Sequence, residues 1–345
     1  MPKILCNPRR KTVFGADVPS TNTELVEKLL ALCPAHAPTP LICAPEIAAR
    51  VGVLSVMIKD ERGRMGLGSF KALGAAYAIA CEAHDTAPDA LADALHGRTF
   101  VTASAGNHGL SVAVGARIFG ARAVIYLAET VPVAFSERLR GLGAHVVRAG
   151  ENYEASMAAA EGAAATQGWT LLSDSTWDGY TRLPMLVMEG YLQLAKEAAT
   201  QLSDPPTHIL LQAGVGGLAA SVAAYARKVW ADGPQILVVE PEAAPALHDS
   251  IAAGHVVDTT GPVSAMGRLD CKTPSLVAFN GLARDADTFV TITEKEAAAA
   301  MPILADLGLH TTPSGGAGLA ALLAGLDLPA DARVWAILSE GPEDG

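Results

Sequence analysis

The chain has 345 residues, 50% of them hydrophobic but only 5% aromatic, with 33 glycines and a net charge of −11. That length buries a substantial core and exceeds one small domain, so two lobes are expected. No basic block is present to neutralise a run of phosphates, which excludes nucleic acid as an expected partner.

Cys6, Cys33, Cys43, Cys81 and Cys271 show no close metal-type pairing, and no metal site is expected. Their odd number argues against a complete disulfide framework and for a reducing cytoplasm. The start, Met1 to Arg10, lacks the apolar stretch of a signal peptide, and no stretch approaches the ~20 apolar residues that span a bilayer. A soluble protein without membrane contact is expected.

In chain order, short β-branched or apolar runs occur at Val53–Ile58, Thr99–Ala103, Ala123–Leu127, His145–Arg148, Thr170–Leu172, His208–Gln212, Ile236–Glu240 and Val334–Leu338. Ala-rich amphipathic stretches such as Ala155–Thr166 and Glu294–Leu304 lie between them and read as helices. This rhythm predicts an α/β protein of two doubly wound parallel-sheet lobes with a cleft between them. Arg98 to Leu172 holds four strands and forms a self-sufficient unit. Residues 81–183 are therefore expected as a smaller lobe inserted in sequence, with 1–80 and 184–345 forming the larger one.

Lys71 sits in Gly68, Ser69, Phe70, Lys71, Ala72, Leu73, Gly74, Ala75, and opens a helical pattern with Leu73, Ala76, Tyr77 and Ala80 on one face. A lysine at a helix start is usually solvated. Burial beside Phe70 would disfavour the ammonium and free the amine for part of the time. After the strand Thr99–Ala103 comes Ser104, Ala105, Gly106, Asn107, His108, Gly109, a strand-to-helix turn whose N–H groups can hold a carboxylate. The Asn107 amide can reach a ring hydroxyl, whereas His108 reads as a packed or solvent-facing member of the turn with no chemical role. An amine in a tight pocket with a polar turn against a ring is what a Schiff-base cofactor needs, and the pair suggests pyridoxal phosphate (PLP).

Further on, Ser175 and Asp178 resemble a capping pair, which gives Asp178 a helix start to serve. Asp174 has no such duty and can take a Cα proton or recognise a second amino group. Gln212, Ala213, Gly214, Val215, Gly216, Gly217, Leu218 follows an apolar strand and precedes an Ala-rich helix, so its N–H groups can surround a phosphate. A dinucleotide loop is the rival reading. The spacing is not GxGxxG, but Glu240 lies near where a ribose-binding acid would fall. Ser339, before Glu340 and Gly341, ends the last strand. Its hydroxyl can face a pyridine nitrogen, although a plain loop serine is the simpler reading.

Together these motifs resemble fold-type II PLP enzymes, the threonine dehydratase and tryptophan synthase β-chain superfamily, from Thr39, Pro40, Leu41 to Gly341. Within it the chain is most similar to diaminopropionate ammonia-lyases, through Ile58, Lys59, Asp60, Glu61, through Trp177, Asp178, Gly179, Tyr180, Thr181, through Pro206 to Gly216, and through Gly267, Arg268, Leu269, Asp270, Cys271. The resemblance implies Lys71 as Schiff-base lysine, packed beside Phe70, and Asn107 on the ring hydroxyl. It implies Gly214, Val215, Gly216, Gly217 and Leu218 on the phosphate and Asp174 as acid or base for the L-substrate, and Ser339 stays a candidate for the ring nitrogen on its own residues. Ser104, Ala105, Gly106, His108, Asp174 and Tyr180 are the expected substrate contacts, and a homodimer is the implied assembly. One departure stands out: those ammonia-lyases usually carry an aspartate before the Gly-Asn pair, where this chain has Ala105. The partner of the family's pocket-loop disulfide is also absent, which leaves Cys271 free. The expected reaction is ammonia elimination from L-2,3-diaminopropionate to give pyruvate and ammonia. Threonine, serine or 3-hydroxyaspartate dehydration, β-replacement synthesis and non-catalytic cofactor binding are the alternatives.

Overall fold

The computed structural model describes residues 2–342. Its strands, in chain order, are β1 (Lys3–Cys6), β2 (Leu41–Cys43), β3 (Ser55–Asp60), β4 (Thr99–Ala103), β5 (Arg122–Leu127), β6 (His145–Arg148), β7 (Thr170–Leu171), β8 (His208–Gln212), β9 (Gln235–Pro241), β10 (Thr288–Ile292) and β11 (Arg333–Leu338). They form a seven-stranded sheet in the order β1-β10-β9-β8-β11-β3-β2 and a four-stranded sheet in the order β6-β5-β4-β7. In the large sheet β10, β9, β8, β11 and β3 run parallel, while β1 and β2 close the two edges antiparallel. The small sheet is parallel throughout.

The apolar runs of the central strands are continuous because both faces of the large sheet are covered. Alternate residues go to opposite sides. Ile209, Leu211, Ile236, Val238, Trp335 and Ile337 join one core, and Leu210, Leu237, Val239, Val334, Ala336 and Leu338 join another. The first core runs on without a break into Phe100, Leu110 and Ile125 of the four-stranded unit. Helices Gly74–Thr86, Asn107–Ile118 and Arg182–Gln201 carry this continuity.

Those helices approach closely at glycine. A Cβ on Gly190 would lie 2.2 Å from the Leu73 carbonyl oxygen, and one on Gly115 would lie 2.9 Å from the Ala76 Cα. The glycine- and alanine-rich composition thus does what it predicts, bringing backbones nearer than larger side chains allow.

The eight expected strands are all present, with ends displaced by up to two residues. β1, β2 and β10 were not anticipated. β2 is only three residues long and carries no readable alternation, and β1 is an edge strand with exposed residues. β10, Thr-Phe-Val-Thr-Ile, carries an ordinary β-branched signal.

The expected helix at Lys71 also differs. Residues Phe70–Leu73 form a 3₁₀ turn, and the α-helix begins at Gly74. No helix starts at Ser175–Asp178 either. Trp177 and Tyr180 pair across a tight turn, with Asp178 exposed and Gly179 at φ 79°. The next helix begins at Arg182, so Asp178 has no helix start to cap.

Candidate active site

The loops after β4, β7, β8 and β11 follow the C-terminal ends of parallel strands, where α/β sheets bind their ligands. They meet the turn bearing Lys71. Phe70 N–H donates to the Ser339 carbonyl at 3.0 Å, and Gly341 N–H donates to the Gly68 carbonyl at 3.0 Å, so β11 fixes this turn from both sides. The Ser69 hydroxyl, on extended backbone, accepts the Lys71 N–H at 3.3 Å and caps the turn. The side chain is left to point into the cleft. Its Nζ lies 5.4 Å from the Phe70 ring centroid and 5.9 Å from that of Tyr191, and it is ion-paired with Asp174.

Burial alone lowers the Lys71 pKa, but the Asp174 charge and hydrogen bond overcome it and hold the amine as an ammonium. Burial acts in the expected direction, and the Asp174 pairing outweighs it. Burial likewise raises the Asp174 carboxyl, and the charge and hydrogen bond of Lys71 pull it well below the usual carboxylate range. Each partner fixes the charge of the other.

Asp174 occupies the loop after β7, and Tyr180 braces that loop. The Tyr180 hydroxyl donates to the Leu171 carbonyl at 2.8 Å and accepts from the Ser173 N–H at 3.1 Å, while its ring stacks on Trp177 with centroids 4.4 Å apart. Tyr180 therefore meets the backbone that carries Asp174. His108, nearly fully buried, uses Nε2 against the Leu172 carbonyl at 2.9 Å, and its Nδ1 has no partner. Burial lowers its pKa, which keeps a neutral imidazole beside Asp174.

The Gly-rich loop lies across the cleft. A Cβ on Gly214 would come within 2.9 Å of the Arg268 carbonyl oxygen and 3.0 Å of Cys271 Sγ. Gly216 has φ 98°, a left-handed backbone suited to glycine, and a Cβ there would meet Leu247 at 2.9 Å. Helix Gly217–Trp230 starts directly after it and directs its first N–H groups at the cleft. Leu218 sits in that first turn, and Val215 lends its carbonyl to Ser275 N–H. An uncharged, glycine-lined helix start facing a lysine amine fits the phosphate and aldehyde of PLP.

Glu240 does not face this loop. Its buried carboxylate accepts the Leu247 and His248 N–H groups at 2.7 Å each and so holds the start of helix Ala246–Ala253. Burial pushes its pKa up to about 8 against those two donors. The acid that kept a ribose-binding reading open is spent on a helix.

On the fourth side, the Ser104 hydroxyl accepts the Gly106 and Gly109 N–H groups at 3.3 and 3.1 Å and shapes the turn. Asn107 Nδ2 donates to Glu340 at 2.6 Å, and the other Glu340 oxygen accepts from the Thr312 hydroxyl at 2.5 Å. Arg268 Nη1 donates to the Ala105 carbonyl at 3.0 Å and its Nε stands 3.8 Å from Glu340. A cavity of about 320 Å³ opens beside this group, lined by Gly267, Arg268, Thr312 and Ser314.

The Ser339 backbone is held by Gly315 and Phe70, with the residue almost fully buried at the end of β11. The sequence reading missed Glu340, Arg268 and Tyr191. Glu340 and Arg268 lie inside quoted motifs but carry no recognisable spacing to their partners. Tyr191 lies in a helix, 120 residues from Lys71, with no local signal. Among the described residues no cluster of possible metal ligands occurs, and no helix is long and apolar enough to cross a membrane.

Comparison with known proteins agrees with this geometry. Residues 32–340 match the family described as pyridoxal-phosphate dependent enzyme. The chain is 34% identical to diaminopropionate ammonia-lyase of Escherichia coli K12 over 342 residues, covering 90% of this chain and 85% of that protein. Among solved structures, Escherichia coli diaminopropionate ammonia lyase with an aminoacrylate-PLP azomethine intermediate superposes with a TM-score of 0.90 at 30% identity, covering 100% and 94% of the two chains. The complex of that enzyme with D-serine gives 0.91 at 29% identity, covering 100% and 95%. With a lysine amine, a glycine-lined anion cradle and these likenesses over nearly its whole length, the chain belongs to the pyridoxal-phosphate dependent enzymes of fold type II and to their diaminopropionate ammonia-lyase group.

Proposed function

We propose that this chain catalyses the α,β-elimination of ammonia from 2,3-diaminopropionate, with the L-isomer preferred, to give pyruvate and ammonia. The observation that carries the reading is the half-buried Lys71–Asp174 pair, with Ala105 contributing no charge to its turn. When bound, PLP withdraws the electron pair left at the substrate Cα, so that a β-amino group can depart.

The protein's own part is positioning and proton control. Lys71 Nζ is the anchoring amine, and the N–H groups of Gly214 to Leu218 hold the phosphate. Asn107, Ser339 and Phe70 bound the ring. The turn Ser104–His108 takes the substrate carboxylate on its N–H groups. Asp174, held by the Tyr180 brace, accepts the Cα proton or recognises the second amino group, and Lys71 is the alternative base.

The larger lobe, residues 1–80 and 184–345, supplies the lysine and the cradle, and the smaller, 81–183, supplies the substrate turn and Asp174. Five unpaired cysteines support a cytoplasmic setting, and we take the working form to be a homodimer acting on small amino acids. The second reading is a serine, threonine or 3-hydroxyaspartate dehydratase, favoured by Ala105, which dehydratases share.

Pyruvate release from L- and D-diaminopropionate, serine and threonine separates these readings. We expect turnover of the L-diamino acid and weak or no turnover of the D-isomer. Preference for serine or threonine would replace the ammonia-lyase reading, and equal rates on both isomers would overturn the stereochemical one. Lys71→Ala is expected to abolish both the absorbance of the lysine-linked cofactor and its trapping by borohydride at position 71.

A further inference from the structure

Tyr191 stands in the interior of helix Arg182–Gln201 and is 1% exposed, and no hydrogen bond of ordinary geometry reaches its hydroxyl, although Lys71 acts on it at close range. A buried polar group left unpaired costs about 1–3 kcal/mol, and a phenylalanine would fill the same space without that cost. The surroundings are also shaped to admit this ring. A Cβ on Gly74 would fall 2.5 Å from the Tyr191 Cε1 and 2.8 Å from its hydroxyl oxygen, so the first residue of helix Gly74–Thr86 must be glycine. Phe70 meets the ring edge-on, with centroids 4.9 Å apart, and fixes its plane.

What this ring faces is Lys71. The Nζ is 5.9 Å from the ring centroid. Burial pushes the phenol up to about 12 and the Lys71 charge pulls the other way, which keeps Tyr191 a protonated hydroxyl beside the amine. The amine is at present ion-paired with Asp174.

We infer that the Tyr191 hydroxyl is the second hydrogen-bonding partner of Lys71 Nζ, which the amine takes up when substrate displaces it and engages Asp174. Tyr191 is then a positioning residue. It keeps the released amine within reach of Cα and stabilises its uncharged, proton-accepting form by donating to the nitrogen lone pair. This rests on the proposed role of Lys71 as the cofactor anchor.

The test is Tyr191→Phe in the holoenzyme, read by the pH titration of cofactor absorbance, by melting temperature and by kinetics. We expect an unchanged or higher melting temperature, because an orphaned oxygen is removed. The absorbance midpoint should move by about half a unit or more, as loss of roughly one hydrogen bond implies, and kcat should fall about tenfold with little change in KM. Replacement by 3-fluorotyrosine, which keeps the ring and lowers the phenol pKa, should shift the midpoint while retaining most of kcat. Titration curves and kcat that superimpose on the wild type in both variants would overturn the inference, as would a fall in melting temperature accompanied by cofactor loss in Tyr191→Phe. Failure of the underlying reading is seen separately, as a wild-type protein whose cofactor absorbance does not depend on Lys71.

Discussion

Lys71 and Asp174 are 103 positions apart in sequence, and each takes its charge from the other. The ammonium is favoured because a carboxylate is paired with it, and the carboxylate stays ionised because the ammonium faces it. Asp174→Asn keeps the shape and removes the charge. The expected outcome is a folded, cofactor-binding protein whose kcat/KM on L-diaminopropionate falls about 10²–10⁴-fold, the range for a lost general acid or base, checked by steady-state kinetics. Lys71 was legible because small residues and a polar turn surround it. Asp174 was singled out because no local structural duty claimed it. The tyrosines were less legible: Tyr180 turned out to hold backbone and Tyr191 to face the amine, since a ring's direction depends on the elements packed against it.

Among elements, the close contact of helix Arg182–Gln201 with the turn Phe70–Leu73 matters most for the site. Leu73 lies two residues beyond Lys71, and its carbonyl occupies the space a Gly190 side chain would need. Gly190→Ala must push the two apart. Overpacking of this kind costs about 1–3 kcal/mol, and here it also moves the lysine. A lower melting temperature together with weakened cofactor absorbance is expected; a melting temperature that falls with the absorbance intact would show that the helix yields without the turn. Strand and helix succession was readable from hydrophobic period. The 3₁₀ turn at Phe70–Leu73 was not, because it is imposed by the hydrogen bonds that join Phe70 and Gly68 to Ser339 and Gly341, outside the local pattern.

At the scale of the molecule, a buried ion network joins the N-terminal segment, β3 and helix Arg182–Gln201. Lys59 Nζ donates to Glu197 at 2.8 Å, to Gln201 at 2.9 Å and to the Thr39 carbonyl at 2.7 Å. Arg64 Nη2 reaches both Glu61 and Glu197 at 2.7 Å. Burial raises the Glu197 pKa, but Arg64 and then Lys59 outweigh it and hold the carboxyl down at about 2, against its ordinary 4.5.

A depressed carboxylate stabilises the fold fully above the unfolded value and loses that contribution as pH falls through the folded one. The window is therefore about 4.5 down to about 2. Glu197→Gln leaves two buried cations underpaired. We expect a loss of roughly 3–5 kcal/mol at neutral pH and a smaller acid dependence inside that window, measured by urea unfolding at several pH values.

By itself the sequence determined the succession of strands and helices and the family, and it singled out the candidate glycine cradle and lysine, because hydrophobic period, turn chemistry and motif are local properties of the chain. Only the tertiary structure decided that Lys71 pairs with Asp174, that Glu240 serves a helix start, that Asn107 meets Glu340, and that Tyr191 lies beside the amine. Charge state and orientation depend on desolvation and on partners brought together from distant segments, and neither is written in any one stretch of residues.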